Sequence, residues 1–395
     1  MTQDLSVTQQ VAPETRAASV RLPPVPLPMP AFAEAQVTRL AAAPVSDRAI
    51  APARVRVGLL LPMRSTSLRA AAEMVRDGIR AAHRRDGANV DLVVIETDDN
   101  PQNIAAIYRD AVPFYDVLVG PLSRGGVAAI ATGGHVMRPT IALVQPEPAS
   151  DLDAVLPPKM LVMGLSVEEE ARQAASWAAR QHPSAKALVL STAVTWQRRA
   201  ARAFVEQWQR GTASAEILEL NTSGGQLDVA GLLRLKRRMA GESPGLIFVA
   251  LDAEQTRQLR QSIGAGPMLY GTSQLNTLNL ADPVGAAAKP ELDGVRLLDL
   301  PWQLQADHPA VMIYPRPPKK GEQRRGLDLE RLYALGIDAF RVAGELGAGR
   351  PVFTIDGVTG KLYVQLDGIR PATFERTEQQ AQYAGGVVVA LTDDH

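Results

Sequence analysis

The chain alternates between short apolar runs and longer segments with apolar residues at helical spacing. VRVGLLL (55–61), VDLVVIE (90–96), DVLVG (116–120) and PTIALVQ (139–145) are rich in β-branched and aliphatic residues and read as buried strands. Between the first two, apolar positions at Ala71, Met74, Val75, Ile79 and Ala82 keep a helical period. Asp98-Asp99-Asn100-Pro101 reads as a cap and first turn, and SRGGVAAIATGG opens another helix. Strand and helix in turn, with strands apolar on both faces, predict a parallel sheet covered on both sides.

The pattern then repeats. Ser166 with Glu169 gives a capping-box signal for a helix to about Gln181. KALVLS (186–191), AEILEL (215–220), GLIFVAL (245–251) and PMLYGT (267–272) predict strands separated by helices at 196–210, 227–240 and 253–262. Each block is long enough for its own sheet, so the chain predicts two α/β lobes. GVRLLDLPW (294–302) reads as a strand entering a loop. A helix over about 327–346 carries Leu332, Leu335, Ala339, Val342 and Leu346 on one stripe and Tyr333, Ile337 and Phe340 on a second. Such a helix is buried around most of its circumference. Its polar band contains Arg331, Asp338, Arg341 and Glu345, and Asp338 with Arg341 reads as a surface pair three residues apart. FTIDGVTGKLYVQL then predicts a glycine-bearing hairpin, with Asp367-Gly368 as a further turn.

Residues 1–53 break the pattern. RLPPVPLPMP (21–30) has five prolines in ten residues, which favours an extended polyproline-like chain. This leader reads either as a spacer or as a segment without a specific role. A second proline-rich stretch, YPRPPKKGEQRRG (314–326), is basic and reads as a solvated loop or, more sharply, as a contact for an acidic partner.

Composition narrows the function. The 395 residues are 46% hydrophobic and 21% charged, with 42 basic and 42 acidic side chains and no cysteine. A balanced charge argues against nucleic acid as the partner, and the absence of cysteine excludes disulfides and thiolate-bound metals. No run is long and apolar enough to span a membrane, and MTQDLSVTQQ has no export-signal pattern. A cytoplasmic protein and a chain without its export signal both fit. There is no P-loop, GxGxxG, HExxH or GxSxG, and the five histidines are scattered, so neither an enzyme nor a cofactor or metal is expected.

VGLLLP (57–62), VLVGPLSRGGVAAI (117–130), IALVQPE (141–147), GLSVEEEAR (164–172) and, most specifically, RLYALGIDAFRV with FTIDGVTGKL (331–362) resemble the LppC family, also called the penicillin-binding protein activator LpoA family. The resemblance covers roughly 55–390. It implies a type I periplasmic binding protein-like fold: two doubly wound parallel-sheet lobes joined by three crossovers. The expected division is 54–165 plus 274–346 for the first lobe and 166–273 plus 347–395 for the second. The resemblance also implies a periplasmic lipoprotein, tethered to the outer membrane through a lipidated cysteine that this chain does not contain. The implied partner is a class A penicillin-binding protein, a peptidoglycan synthase. Longer relatives carry an N-terminal helical-repeat domain; here a proline-rich leader stands before Val55.

In open α/β sheets ligands collect where strands end. That rule picks out Arg64, Ser65 and Thr66 after the first strand, Ser123, Arg124 and Gly125 at a helix start, Gln145 in Gln145-Pro146-Glu147, and Ser191, Thr272 and Ser273 across the cleft. Ser123 reads equally as a helix cap. Met63-Arg64 stands where solute binders of this fold have a Gly- and Ser-rich turn. A small polar ligand (an amino acid, a peptide or a wall fragment) is the alternative expectation.

Overall fold

The computed structural model describes residues 54–146, 156–211, 214–277, 288–317 and 327–392. The leader 1–53 and most of the basic loop, 318–326, lie outside the described residues. The first sheet is built from β1 (Val55–Leu61), β2 (Val90–Glu96), β3 (Val117–Val119), β4 (Thr140–Ala142) and β5 (Met160–Val162). Its helices are α1 (Arg69–Asp86), α2 (Pro101–Ala111) and α3 (Arg124–Thr132). The strand order is β2-β1-β3-β4-β5, all parallel, with Val55 opposite Val90 and Leu61 opposite Glu96.

The chain then crosses to α4 (Val167–Gln181), β6 (Ala187–Ser191), α5 (Thr195–Gln209) and β7 (Ala215–Glu219). A two-rung hairpin, β8 (Thr222–Ser223) and β9 (Gln226–Leu227), precedes α6 (Val229–Gly241), β10 (Leu246–Val249), α7 (Ala253–Ile263), β11 (Leu269–Gly271) and β12 (Arg296–Asp299). After β12 it returns through α8 (Pro301–Leu304) and α9 (Pro309–Met312) to α10 (Leu327–Gly347) and the antiparallel sheet β13 (Val352–Asp356), β14 (Lys361–Gln365) and β15 (Thr373–Thr377). A third crossing leads to β16 (Gln379–Ala384) and β17 (Val387–Ala390). The second sheet runs β17-β16-β12-β11-β10-β6-β7, with β16 antiparallel to β12 and β17 antiparallel to β16.

The two-lobed architecture with three crossings is therefore as expected, but the lobes divide differently. The 274–346 segment does not belong wholly to the first lobe, because β12 pairs with β11 in the second sheet. Nor does 347–395 belong wholly to the second. Ile355, Leu362, Val364 and Leu366 of the three-stranded sheet pack into the apolar core shared by α1, α10, β1 and β3. Each segment follows the sheet or core that buries its apolar face.

Helices α1 and α10 approach at backbone contact. A Cβ on Gly78 would lie 2.0 Å from the Tyr333 carbonyl oxygen, and one on Gly336 would lie 2.2 Å from that of Val75. Only residues without a side chain allow this approach. Around it Tyr333, Ile337, Phe340 and Val342 are buried, as the doubled apolar stripe requires.

Asp338 departs from the expected surface pair. It is fully buried. Its Oδ1 accepts the Val358 N–H at 3.1 Å, and its Oδ2 accepts the Thr359 N–H at 2.8 Å and the Thr359 hydroxyl at 2.7 Å. Arg341 donates to it as well, at 3.3 Å. The IDAF and DGVTG segments are thus a carboxylate and the turn that cages it. Gly357 is required there because a Cβ would come within 2.5 Å of Asp338 Oδ2, and Gly360 because its φ is +129°.

Candidate functional site

The strand ends meet between the lobes, and most of the polar side chains there are engaged close by. Arg64 donates to the Glu96 carbonyl at 2.8 Å, tying the loop after β1 to the end of β2. Ser65 is buried; its hydroxyl donates to Asp99 at 2.8 Å and accepts the Leu68 N–H at 3.0 Å. Asp99 thus fixes a loop, while Asn100 caps α2 through its Oδ1. Thr66 is exposed. Ser123 caps α3, accepting the Gly126 N–H at 3.2 Å. A Cβ on Gly125 would come within 2.9 Å of the Pro101 ring.

On the second lobe, Ser191 is buried and its hydroxyl has no hydrogen-bond partner among the described residues. Its neighbour Thr192 begins a buried relay. The Thr192 hydroxyl donates to Gln197, Gln197 donates to Gln255 at 2.8 Å, and Gln255 donates to the Gly225 carbonyl at 3.0 Å. Thr272 is buried and accepts the Gln274 N–H at 3.4 Å. Ser273 turns inward, donating its N–H and hydroxyl to Glu170 at 2.8 and 3.1 Å. Among the strand-end residues, Arg124 and Gln145 share a groove with the opposite lobe. That groove holds about 320 Å³ and is completed by Ser166, Glu168, Glu169, Arg172 and Arg199. Glu147 lies outside the described residues.

Sequence reasoning missed the charged core at the crossovers. At the second crossing Asp299, fully buried, accepts Arg331 Nε at 3.0 Å and Nη2 at 2.6 Å, and also Asn276 at 2.7 Å and the Leu300 N–H at 2.8 Å. The same guanidinium donates to the Ser273 carbonyl at 3.1 Å. At the first crossing Arg376 donates to the carbonyls of Met163 and Gly164 at 2.8 and 3.1 Å, and to the Thr359 hydroxyl at 3.2 Å. At the third, Glu378 is buried and its N–H donates to Gln173 at 3.0 Å. Removing one member of such a set leaves a buried charge unpaired, which costs about 3–5 kcal/mol.

Burial sets the titration of this core. It pushes the Glu170 carboxyl up to about 7, against the opposing Ser273 hydrogen bond and with Asp299 adding to the rise. Burial, with Glu170 nearby, also raises Glu378 well above the usual carboxylate range. Arg376 is lowered by burial. For Arg331 burial acts downward, but the adjoining Asp299 carboxylate more than offsets it and the net shift is upward. The arrangement therefore stores charge and protons where the chain changes lobe. Ser166 caps α4 as expected, but its reciprocal partner is absent: Glu169 pairs with Arg172 at 3.0 Å instead. Among the described residues no group of three or more His, Cys, Asp and Glu would hold a metal ion, and no helix is long and apolar enough to cross a membrane.

Two sheets joined by three crossings, with strand ends facing across a groove, define a periplasmic binding protein-like α/β protein. Solved structures that share this architecture include one from Chromobacterium violaceum and one from Haemophilus influenzae. The first is described as a "putative branched-chain amino acid ABC transporter"; it is 31% identical, with a TM-score of 0.66 over 84% of this chain and 100% of that one. The second is the LpoA C-domain, "a regulator of PBP1A", 20% identical with a TM-score of 0.63 over 85% of this chain and 100% of that one.

Within that class the chain belongs to the LppC family, whose model, "LppC putative lipoprotein", matches residues 50–386. Curated relatives named penicillin-binding protein activator LpoA include those of Pectobacterium parmentieri, 26% identical over 77% of this chain and 49% of its own length, and Histophilus somni, 26% identical over 86% and 55%. The chain spans about half the length of these relatives.

Proposed function

We propose that this protein is a non-catalytic regulator of peptidoglycan synthesis that binds a class A penicillin-binding protein in the periplasm and raises its activity. In this reading a lipidated cysteine that is not among these 395 residues tethers it to the outer membrane. The observation that carries the reading is the family match over 50–386, which takes in both lobes and the Asp338-caged turn. Local engagement of the strand-end polar groups supports it. Ser65, Ser123, Thr272 and Ser273 all satisfy neighbouring groups, so partner recognition falls to the outer surface. The test is capture of purified class A synthases on the immobilised protein, together with their glycan polymerisation rate. Capture with a faster rate is expected; neither capture nor a rate change would overturn the proposal.

The groove favours a second reading, a binder of a small polar solute. Arg124 and Gln145 face Arg172 and Arg199 there, and the Chromobacterium violaceum structure bears a transporter's description. A solute at one hundred times its Kd would add about 2.7 kcal/mol to stability. A thermal-shift screen of free amino acids, repeated on Arg124→Ala, decides this reading: a shift lost in the variant supports it, and no shift removes it.

A further inference from the structure

A second cavity, of about 470 Å³, lies along the flank of α4, between that helix, the end of α5 and the third crossing. Its volume falls in the range of small-ligand sites. Glu378 lines it; this side chain is 7% exposed, and its Oε2 has no hydrogen-bond partner among the described residues. A buried carboxyl oxygen without a partner carries a desolvation cost that a ligand donor would remove. Beside it the Gln173 side-chain amide accepts the Glu378 N–H through its oxygen, while its Nε2, also buried, has no acceptor among the described residues.

The cavity sets four arginines, Arg172, Arg180, Arg210 and Arg376, against Glu169, Glu375 and Glu378. Arg180 and Arg210 line it, and neither has a carboxylate at ion-pair distance among the described residues; Arg210 reaches only the Gln207 amide oxygen, at 3.0 Å. Of the other two arginines of the wall, Arg172 is held by Glu169 at 3.0 Å and Arg376 by the Met163 and Gly164 carbonyls. The unmet groups are thus the Glu378 oxygen, the Gln173 amide, a pair of guanidinium groups and, on the exposed rim, the Glu375 carboxylate. Guanidinium forks match carboxylates, often bidentately.

We propose that this flank cavity binds the free carboxyl end of a short peptide. Its terminal carboxylate sits on Arg180 and Arg210, a peptide N–H donates to Glu378 Oε2, and a peptide carbonyl accepts from Gln173 Nε2. A peptide C-terminus offers these three groups together, whereas a simple carboxylate lacks the amide pair. The site adjoins the inter-lobe groove, with which it shares the Glu169–Arg172 pair, and does not depend on the synthase reading. A protein that captures a synthase but ignores the peptide would sink this proposal alone.

The experiment is calorimetric titration of the full chain with trialanine and with trialanine amide. Saturable binding of the free acid is expected, with the amide at least about tenfold weaker, a loss of about 1.4 kcal/mol or more. The surface double variant Arg180→Ala/Arg210→Ala should weaken the free acid by a similar factor while melting like the parent. Glu378→Gln should weaken both peptides if it folds. Arg124→Ala, in the inter-lobe groove, should leave binding unchanged. No saturable binding of the free acid, equal binding of acid and amide, or binding lost in Arg124→Ala but kept in the double arginine variant would overturn the assignment.

Discussion

Asp338→Ala removes the one carboxylate that joins the long C-terminal helix to the DGVTG turn. In the native protein it accepts two backbone N–H groups and one hydroxyl, all within 3.1 Å and all from buried positions. The substitution leaves three donors without an acceptor, and each such neutral group costs about 1–3 kcal/mol. It also strips the charge partner from Arg341 and loosens Thr359, which holds Arg376 at the first crossing. Water entering the vacated space recovers part of this, so the net loss should be about 3–5 kcal/mol. At about 2–4 °C per kcal/mol for a unit of 150–250 residues, that is a fall in Tm of about 6–20 °C. Thermal and urea unfolding followed by circular dichroism would measure it. Asp338→Asn should recover only part of the loss, because its amide nitrogen would face an N–H donor. Asp110→Ala, whose side chain is 75% exposed and pairs with the also exposed Arg109, is the control and should change stability by less than about 0.5 kcal/mol. If Asp338→Ala melts within about 1 °C of the parent, the caged carboxylate is not what fastens the turn.

Two further perturbations probe packing and charge. Gly336→Ala should destabilise by about 1–3 kcal/mol despite its better helix propensity, because its methyl meets the Val75 carbonyl; Gly344→Ala in the same helix, with nothing within 4 Å, should instead gain up to about 1 kcal/mol. Equal melting shifts for the two would contradict the close approach of α1 and α10. Glu170 titrates near 7 when folded against its ordinary 4.5, so the native protein retains a proton that the unfolded chain releases. Its contribution is fully present below about 4.5 and is lost as pH rises through about 7, on the order of 2–3 kcal/mol. Stability of the parent should fall across that window and Glu170→Gln should fall less; parallel pH profiles would refute the assignment.

The strands were legible where both faces are buried. VRVGLLL, KALVLS and GLIFVAL all became sheet, because a continuous β-branched and aliphatic run has few other stable placements; VDLVVIE, read as buried, became the edge strand β2, with Asp91, Val93 and Glu96 exposed. Met160–Val162 was missed because three residues carry no period. QQAQYA was missed because this antiparallel strand near the sheet edge keeps polar side chains. The lobe affiliation of β12 was not legible, since its pairing with the preceding β11 rests on one residue pair and its antiparallel partner β16 lies far along the chain. The crossover charges were hidden for the same reason. Arg331 meets Asp299 across 32 residues and Glu170 meets Ser273 across 103, separations that leave no spacing signal. One clue was present: Arg331 and Asp338 lie in a helix with apolar residues around most of its circumference, and a charge there is more often paired in the core than exposed. Glu170, within a run of three glutamates at a helix start, looked like any first-turn acid.

The most direct test of the regulatory account is glycan polymerisation by a purified class A synthase with and without this protein at saturating concentration. The account predicts a faster rate that Asp338→Ala, if it unfolds the first lobe, abolishes. A rate unchanged by folded protein, with no complex detected by sedimentation, would contradict it.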